Sequence, residues 1–173
     1  GLQLAFGLCY LTIGASVVGN LVAAFVFPQN KRLSERENLA MVLFDLLQLT
    51  ALLALTGGLH NPFALLLLAP VTISATALSL RSTLVLGGTA IIAASVLALW
   101  HLPLVTQSGD VLRQPGIFVF GHWAALLIAI VFTSAYSRRV TTEVHSMADA
   151  LSATQMVLAR EQKLSDLSGV VAA

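Results

Sequence analysis

Charge is scarce in this sequence. Asp, Glu, Lys and Arg make up 10% of its 173 residues, against 57% hydrophobic ones, and the mean hydropathy is +0.88. A soluble domain carries about 25% charged residues, so a water-soluble globule is excluded and the solvent is lipid. Net charge is only +1, and no stripe of basic and aromatic residues accompanies it, which argues against direct nucleic acid binding. Cys9 is the single cysteine; it cannot form an internal disulfide and reads as a small packing residue in an apolar run. No HExxH, CxxC, P-loop or paired-carboxylate arrangement occurs, so no catalytic residue and no metal site is expected. Period-two alternation is also missing, which excludes a membrane β-barrel. The opening run has no charged segment ahead of it and no cleavage site, so it is not a signal peptide.

What the sequence has is long apolar runs. A helix crossing the hydrocarbon needs about 20 residues, and five stretches qualify: 1–27, 39–56, 62–80, 83–102 and 117–136. These predict an all-α transmembrane bundle over 1–136 and a separate helical tail over 137–173. Eight of the nine basic residues fall on one side of it. They are Lys31, Arg32 and Arg36 in the first loop, Arg81, and Arg138, Arg139, Arg160 and Lys163 after the last span; Arg113 alone lies opposite. The positive-inside rule therefore makes the tail cytoplasmic and the turns at 57–61 and 103–116 periplasmic. Trp100 and Trp123 then mark the outer interface and Tyr136 the inner one. Five crossings with the tail inside place Gly1 outside, which suggests a parent with six spans. Small-residue faces, Ala15–Gly19–Ala23 and Ala90–Ala94–Ala98, let helices approach closely. Pro70 is expected to kink the third span, with Thr72, Ser74 and Thr76 satisfying the backbone groups it frees.

Two places combine polarity with membrane depth. Asp45 and Gln48 share a face of the second span, and an ionisable residue there is a functional candidate by default. The alternative is a carboxylate two turns from the cytoplasmic end that bonds a neighbouring helix. His101 and His122 flank the outer loop, where an interfacial histidine is ordinarily solvated. The stretch "TGGLHNPF", 56–63, is dense in helix breakers. Gly57 and Gly58 fit a left-handed helix end, Asn61 an N-cap and Pro62 a first helical position. A hairpin turn accounts for those four residues, yet it requires neither His60 nor Phe63.

The tail is polar, free of proline and helix-prone. Val140, Val144, Met147, Leu151, Thr154 and Leu158 recur at alternating spacings of four and three. That is a heptad seam and implies a partner helix, read as a two-stranded parallel coiled coil of a homodimer. A second phase through Val157, Leu164, Leu167 and Val171 slips against the first. A helix lying on the membrane is the alternative, but the polar face is not rich in Lys and Arg as such helices are.

The order of "FPQNKRL", "LFDLLQL", "GGLHNPF", "LAPVTISA", "YSRRV", "SMADAL" and "REQKLSDLSGVVAA" resembles the RegB/PrrB/ActS family of redox-responsive sensor histidine kinases along essentially the whole chain. The resemblance implies the ubiquinone-sensing input portion of a two-component kinase in the bacterial inner membrane. It also implies a response regulator as partner, with ATP and magnesium belonging to a kinase core outside this chain. The family's phospho-acceptor histidine follows the last motif, so His145 is not that residue, and Cys9 does not match the family's redox-active cysteine. It further implies that Gly57, Gly58, Asn61, Pro62 and Phe63 belong to the ubiquinone-sensing segment, with His60 at an open position of the motif. Two other classes remain at this stage: a small transporter or channel subunit lined by Asp45 and Gln48, and a membrane scaffold without a ligand.

Overall fold

The structure is a computed structural model that describes residues 2–26, 33–106 and 109–171; side-chain surroundings at 2, 3, 137, 138, 141, 145, 159 and 161–171 lie outside that description. Phe27, Lys31 and Arg32 therefore fall outside it, as do the side chains of Arg138, His145, Lys163, Leu164, Leu167 and Val171. The order is β1 (Leu2–Gln3), α1 (Phe6–Val26), α2 (Glu35–Leu55), two 3-10 turns (Gly58–His60 and Pro62–Leu67), α3 (Leu68–Ala77), α4 (Leu80–Leu99), β2 (Leu104–Thr106), β3 (Val111–Leu112) and α5 (Gly116–Val171). The chain divides into two compact units, Gly1–Ser137 and Arg138–Ala173.

Among the described residues, four helices are long and apolar enough to cross a membrane: Phe6–Val26, Glu35–Leu55, Leu80–Leu99 and Gly116–Tyr136. The segment expected as the third span is shorter, Pro62–Ala77, and is not α-helical throughout. Its first six residues form a 3-10 helix and only the next ten an α-helix. A 3-10 helix rises about 2.0 Å per residue against 1.5 Å, so the segment still reaches about 27 Å, close to the ~30 Å hydrocarbon core. The break thus precedes Pro70, which sits in the first turn of α3, where a missing N–H costs little. The expectation that nearby hydroxyls rescue Pro70 is corrected as well. Thr72 donates to Leu68 O (2.8 Å), Ser74 to Val71 O (2.8 Å) and Thr76 to Ile73 O (3.0 Å), each within its own helix.

Helix boundaries follow caps that the hydropathy pattern did not weigh. α2 starts four residues earlier than expected, because Ser34 and Glu37 form a capping box: the Ser34 N–H donates to Glu37 Oε2 at 2.7 Å and the Glu37 N–H to Ser34 Oγ at 3.4 Å. Such a cap contributes about 1 kcal/mol. α4 starts on Ser79, whose Oγ accepts from the Ser82 N–H. Glu35 links these two starts, accepting from Ser82 Oγ (2.6 Å) and the Ser79 N–H (3.2 Å). The core gathers Leu46 and Leu53 of α2, Leu59, Leu67, Val71, Leu86, Ala90, Ala94 and Leu97, with Leu126 and Ile130 of α5. The Ala90–Ala94–Ala98 face lies in or against this core. On α1, a Cβ at Gly19 would meet the Phe44 ring at 2.9 Å, so the small residue there seats Phe44 of α2.

The strands were not foreseen. β1 pairs antiparallel with β2 (Leu2 opposite Thr106) and β2 with β3 (Val105 opposite Val111), the hairpin turning at Gly109 with φ +90°. Leu2–Gln3 is therefore strand and not the start of a span. The pairing brings the beginning of the chain to the 104–112 hairpin, so both lie at one end of the bundle. The Leu102 N–H donates to Ala54 O at 2.7 Å, which brings the end of α2 to that same end.

Candidate functional site

The 57–63 turn is assembled from its own residues. Gly57 and Gly58 hold φ +101° and +57°, a region that costs a side chain roughly 1–2 kcal/mol. Space is excluded as well. A Cβ at Gly57 would stand 2.5 Å from Leu104 Cδ1, and one at Gly58 would stand 2.5 Å from Leu97 O and 2.7 Å from His101 Cβ. These two glycines let the end of α4 and the segment behind it close over the turn. Asn61 caps the next helix: its Oδ1 accepts from the Phe63 N–H at 2.9 Å, and its Nδ2 donates to Thr56 Oγ1 (2.8 Å) and Thr56 O (3.1 Å). Its amide is thereby satisfied inside the turn. Pro62 occupies the first 3-10 position. The Phe63 ring is 65% exposed.

His60 is set apart from its neighbours. Its Nδ1 accepts a hydrogen bond from the Gln114 N–H at 3.1 Å, across 54 residues of chain. Its ring meets that of His101 edge-on, with centroids 4.9 Å apart. Desolvation, with His101 and Arg113 close by, holds its pKa below the ordinary imidazole range. Both rings line a cavity of about 680 Å³ between the turn, the end of α4 and the start of α5. Arg113, Ser95, Phe120 and Trp123 line it too. Trp123 Nε1 donates to Ser95 Oγ at 3.1 Å, and Phe120 lies 5.8 Å from Trp123 between ring centroids. The wall is therefore aromatic on the α5 side and hydrogen-bonding on the turn side, a mixture that suits a flat apolar ligand with a few polar atoms.

Of the 57–63 turn, His60 alone enters this cavity, joined by His101 from the outer loop; Gly57, Gly58, Asn61 and Pro62 shape the turn that carries His60, and Phe63 lies outside the lining. Sequence reasoning missed the convergence of His101, Arg113, Gln114 and Trp123. The one available signal was that His101 and Trp123 both fall at the outer interface. His122 does not line the cavity. Asp45 lies elsewhere, in a smaller cavity of about 260 Å³ with Asn20, Gly19 and Phe44, and Gln48 is not part of its lining. Among the described residues no group of three metal-ligating side chains occurs. In the tail, Val140, Val144, Met147, Leu151 and Leu158 are each 40–61% exposed, an apolar stripe that its own chain leaves uncovered.

Residues 3–142 match the family model described as PilS-like transmembrane domain. The chain belongs to that family. It is also 57% and 58% identical, over all 173 residues, to two proteins from Cereibacter sphaeroides, each described as sensor histidine kinase RegB. The chain spans 37% of the length of these curated relatives. No solved structure matches it. The matches make this a multi-pass membrane protein corresponding to the transmembrane portion of a RegB-type sensor kinase.

Proposed function

We propose that this chain is the quinone-sensing input of a membrane histidine kinase, with the head group of a ubiquinone seated in the cavity of His60, His101 and Trp123. The observation that carries the reading is this cavity itself. It combines an aromatic wall with polar ring atoms and opens at the end of the bundle where 57–61 and 103–116 meet, the interfacial depth a quinone ring occupies while its isoprenoid tail stays in lipid. Gly57, Gly58, Asn61 and Pro62 act by positioning His60. The exposed Phe63 ring offers apolar surface to the tail of the ligand. In this reading the chain lies in the inner membrane with its C-terminus cytoplasmic. The stripe from Val140 to Leu158 pairs with a second copy in a coiled coil, and the kinase core beyond it uses ATP and magnesium to phosphorylate itself and then a cognate response regulator.

Trp123 provides the test. In lipid nanodiscs, with Trp100 replaced by Phe, oxidised decylubiquinone quenches Trp123 fluorescence saturably. The quench is lost in Gly58→Ala, whose turn cannot close. Quenching that rises linearly with quinone, without saturation, means partition into lipid and no site.

A further inference from the structure

The two histidines that line the cavity are held in different tautomers. His60 Nδ1 receives the Gln114 N–H, so in the neutral ring the proton sits on Nε2 and that atom is a donor. His101 Nδ1 lies 3.1 Å from Leu102 O. A carbonyl only accepts, so here Nδ1 carries the proton and the neutral ring keeps an acceptor lone pair on Nε2. With the rings 4.9 Å apart, one donor and one acceptor serve the same end of one cavity. No other described residue in the lining is both a ring nitrogen acceptor and within reach of His60.

We infer that His101 distinguishes the reduced from the oxidised ligand, while His60 holds both. This rests on the reading of the cavity as a quinone site. A quinone oxygen is a carbonyl and can only accept. It takes the His60 Nε2–H and finds in His101 a lone pair facing a lone pair. A quinol oxygen is a hydroxyl: it accepts from His60 and donates its own proton to His101 Nε2. The bound oxygen is thus sorted by whether it carries hydrogen, and the sorting needs no redox chemistry by the protein. Gln114 is the positioning residue, since its N–H fixes which nitrogen of His60 is the donor.

The experiment compares dissociation constants for decylubiquinone and for decylubiquinol, measured separately on the full chain in nanodiscs. The ratio of the two constants within one preparation is insensitive to the fraction that is folded. His101→Phe should weaken decylubiquinol about tenfold, the scale of one hydrogen bond with a desolvated partner, and leave decylubiquinone no weaker. His101→Gln, which restores an acceptor oxygen, should recover the quinol affinity. His60→Phe should weaken both forms. Equal weakening of both forms by His101→Phe, or an unchanged ratio, overturns the inference while leaving the quinone site intact. Failure of the parent chain to bind either form overturns the functional reading itself.

Discussion

Replacing Gly58 by Ala adds one methyl group where the backbone has no room for it. The new Cβ would lie 2.5 Å from the Leu97 carbonyl oxygen and 2.7 and 2.8 Å from His101 Cβ and Cγ. The first contact is with backbone at the end of α4, which cannot rotate out of the way. Positive φ adds roughly 1–2 kcal/mol for a non-glycine residue, and overpacking of this kind adds typically 1–3 kcal/mol. The expected loss is about 2–5 kcal/mol, a large part of the ~5–15 kcal/mol that holds a typical domain folded. Gly88→Ala is the matched control. It sits inside α4 with nothing within 4 Å of a built Cβ, so the same methyl should be neutral or stabilising by up to ~1 kcal/mol. Thermal melting of both variants in one lipid or detergent system should give a marked drop for Gly58→Ala and none for Gly88→Ala. Equal melting temperatures would refute the claim that the turn is closed by steric fit.

The tail stripe predicts that cysteines at Leu151, in a Cys9→Ala background, crosslink between subunits far more readily than cysteines at Asp149; equal yields at both positions would exclude a seam. His60 predicts a pH dependence with a definite sign. Its folded pKa lies below the ordinary value of about 6.5, so its contribution to stability is complete above that pH and is lost as pH falls toward the folded value. Protonation puts a second proton on Nδ1, opposite the Gln114 N–H, and adds charge beside Arg113 and His101. Melting temperature should therefore decline in the parent as pH falls below the ordinary imidazole value of about 6.5, and His60→Gln should lack that component of the decline.

Much of the bundle was legible because lipid leaves its mark on every turn of a helix. α1, α2, α4 and the membrane part of α5 follow from apolar runs alone, and the glycine, asparagine and proline roles in the 57–63 turn follow from backbone chemistry. The errors lie where short-range chemistry competes with hydropathy. A serine–glutamate capping box moved the start of α2 outward, because a polar first turn can sit at the interface. Leu2–Gln3 stands directly ahead of an apolar helix and reads as its start, and it is strand because a partner edge from residues 104–106 pairs with it. The 3-10 stretch at Pro62–Leu67 is invisible to periodicity, since six apolar residues satisfy a period of 3.0 as readily as one of 3.6. The cavity was illegible for a different reason. His60, His101 and Arg113 are 41 and 12 residues apart along the chain, and nothing local announces that the Leu102–Ala54 bond and the Gln114–His60 bond will draw them together.

The interface between α4 and α5 has a character that suits a ligand-responsive bundle. Leu126 and Ile130 of α5 are fully buried against the core, but only 11% of the membrane segment of α5 is buried within the chain. At the cavity end the two helices are joined by the Trp123–Ser95 hydrogen bond. Further along, Ser134 Oγ is buried without a hydrogen-bond partner and lies 3.6 Å from a Cβ built at Gly87. An unsatisfied hydroxyl in an apolar interface costs about 1–3 kcal/mol, which weakens this packing relative to any arrangement in which Ser134 finds an acceptor. On the proposed reading, a ring bound beside Trp123 would act at the end of this seam where a cavity already separates the helices. Differential contacts of the size of one hydrogen bond there would be comparable to the cost at Ser134, so if α4 and α5 had a second packing in which Ser134 found an acceptor, such contacts would suffice to shift the balance severalfold.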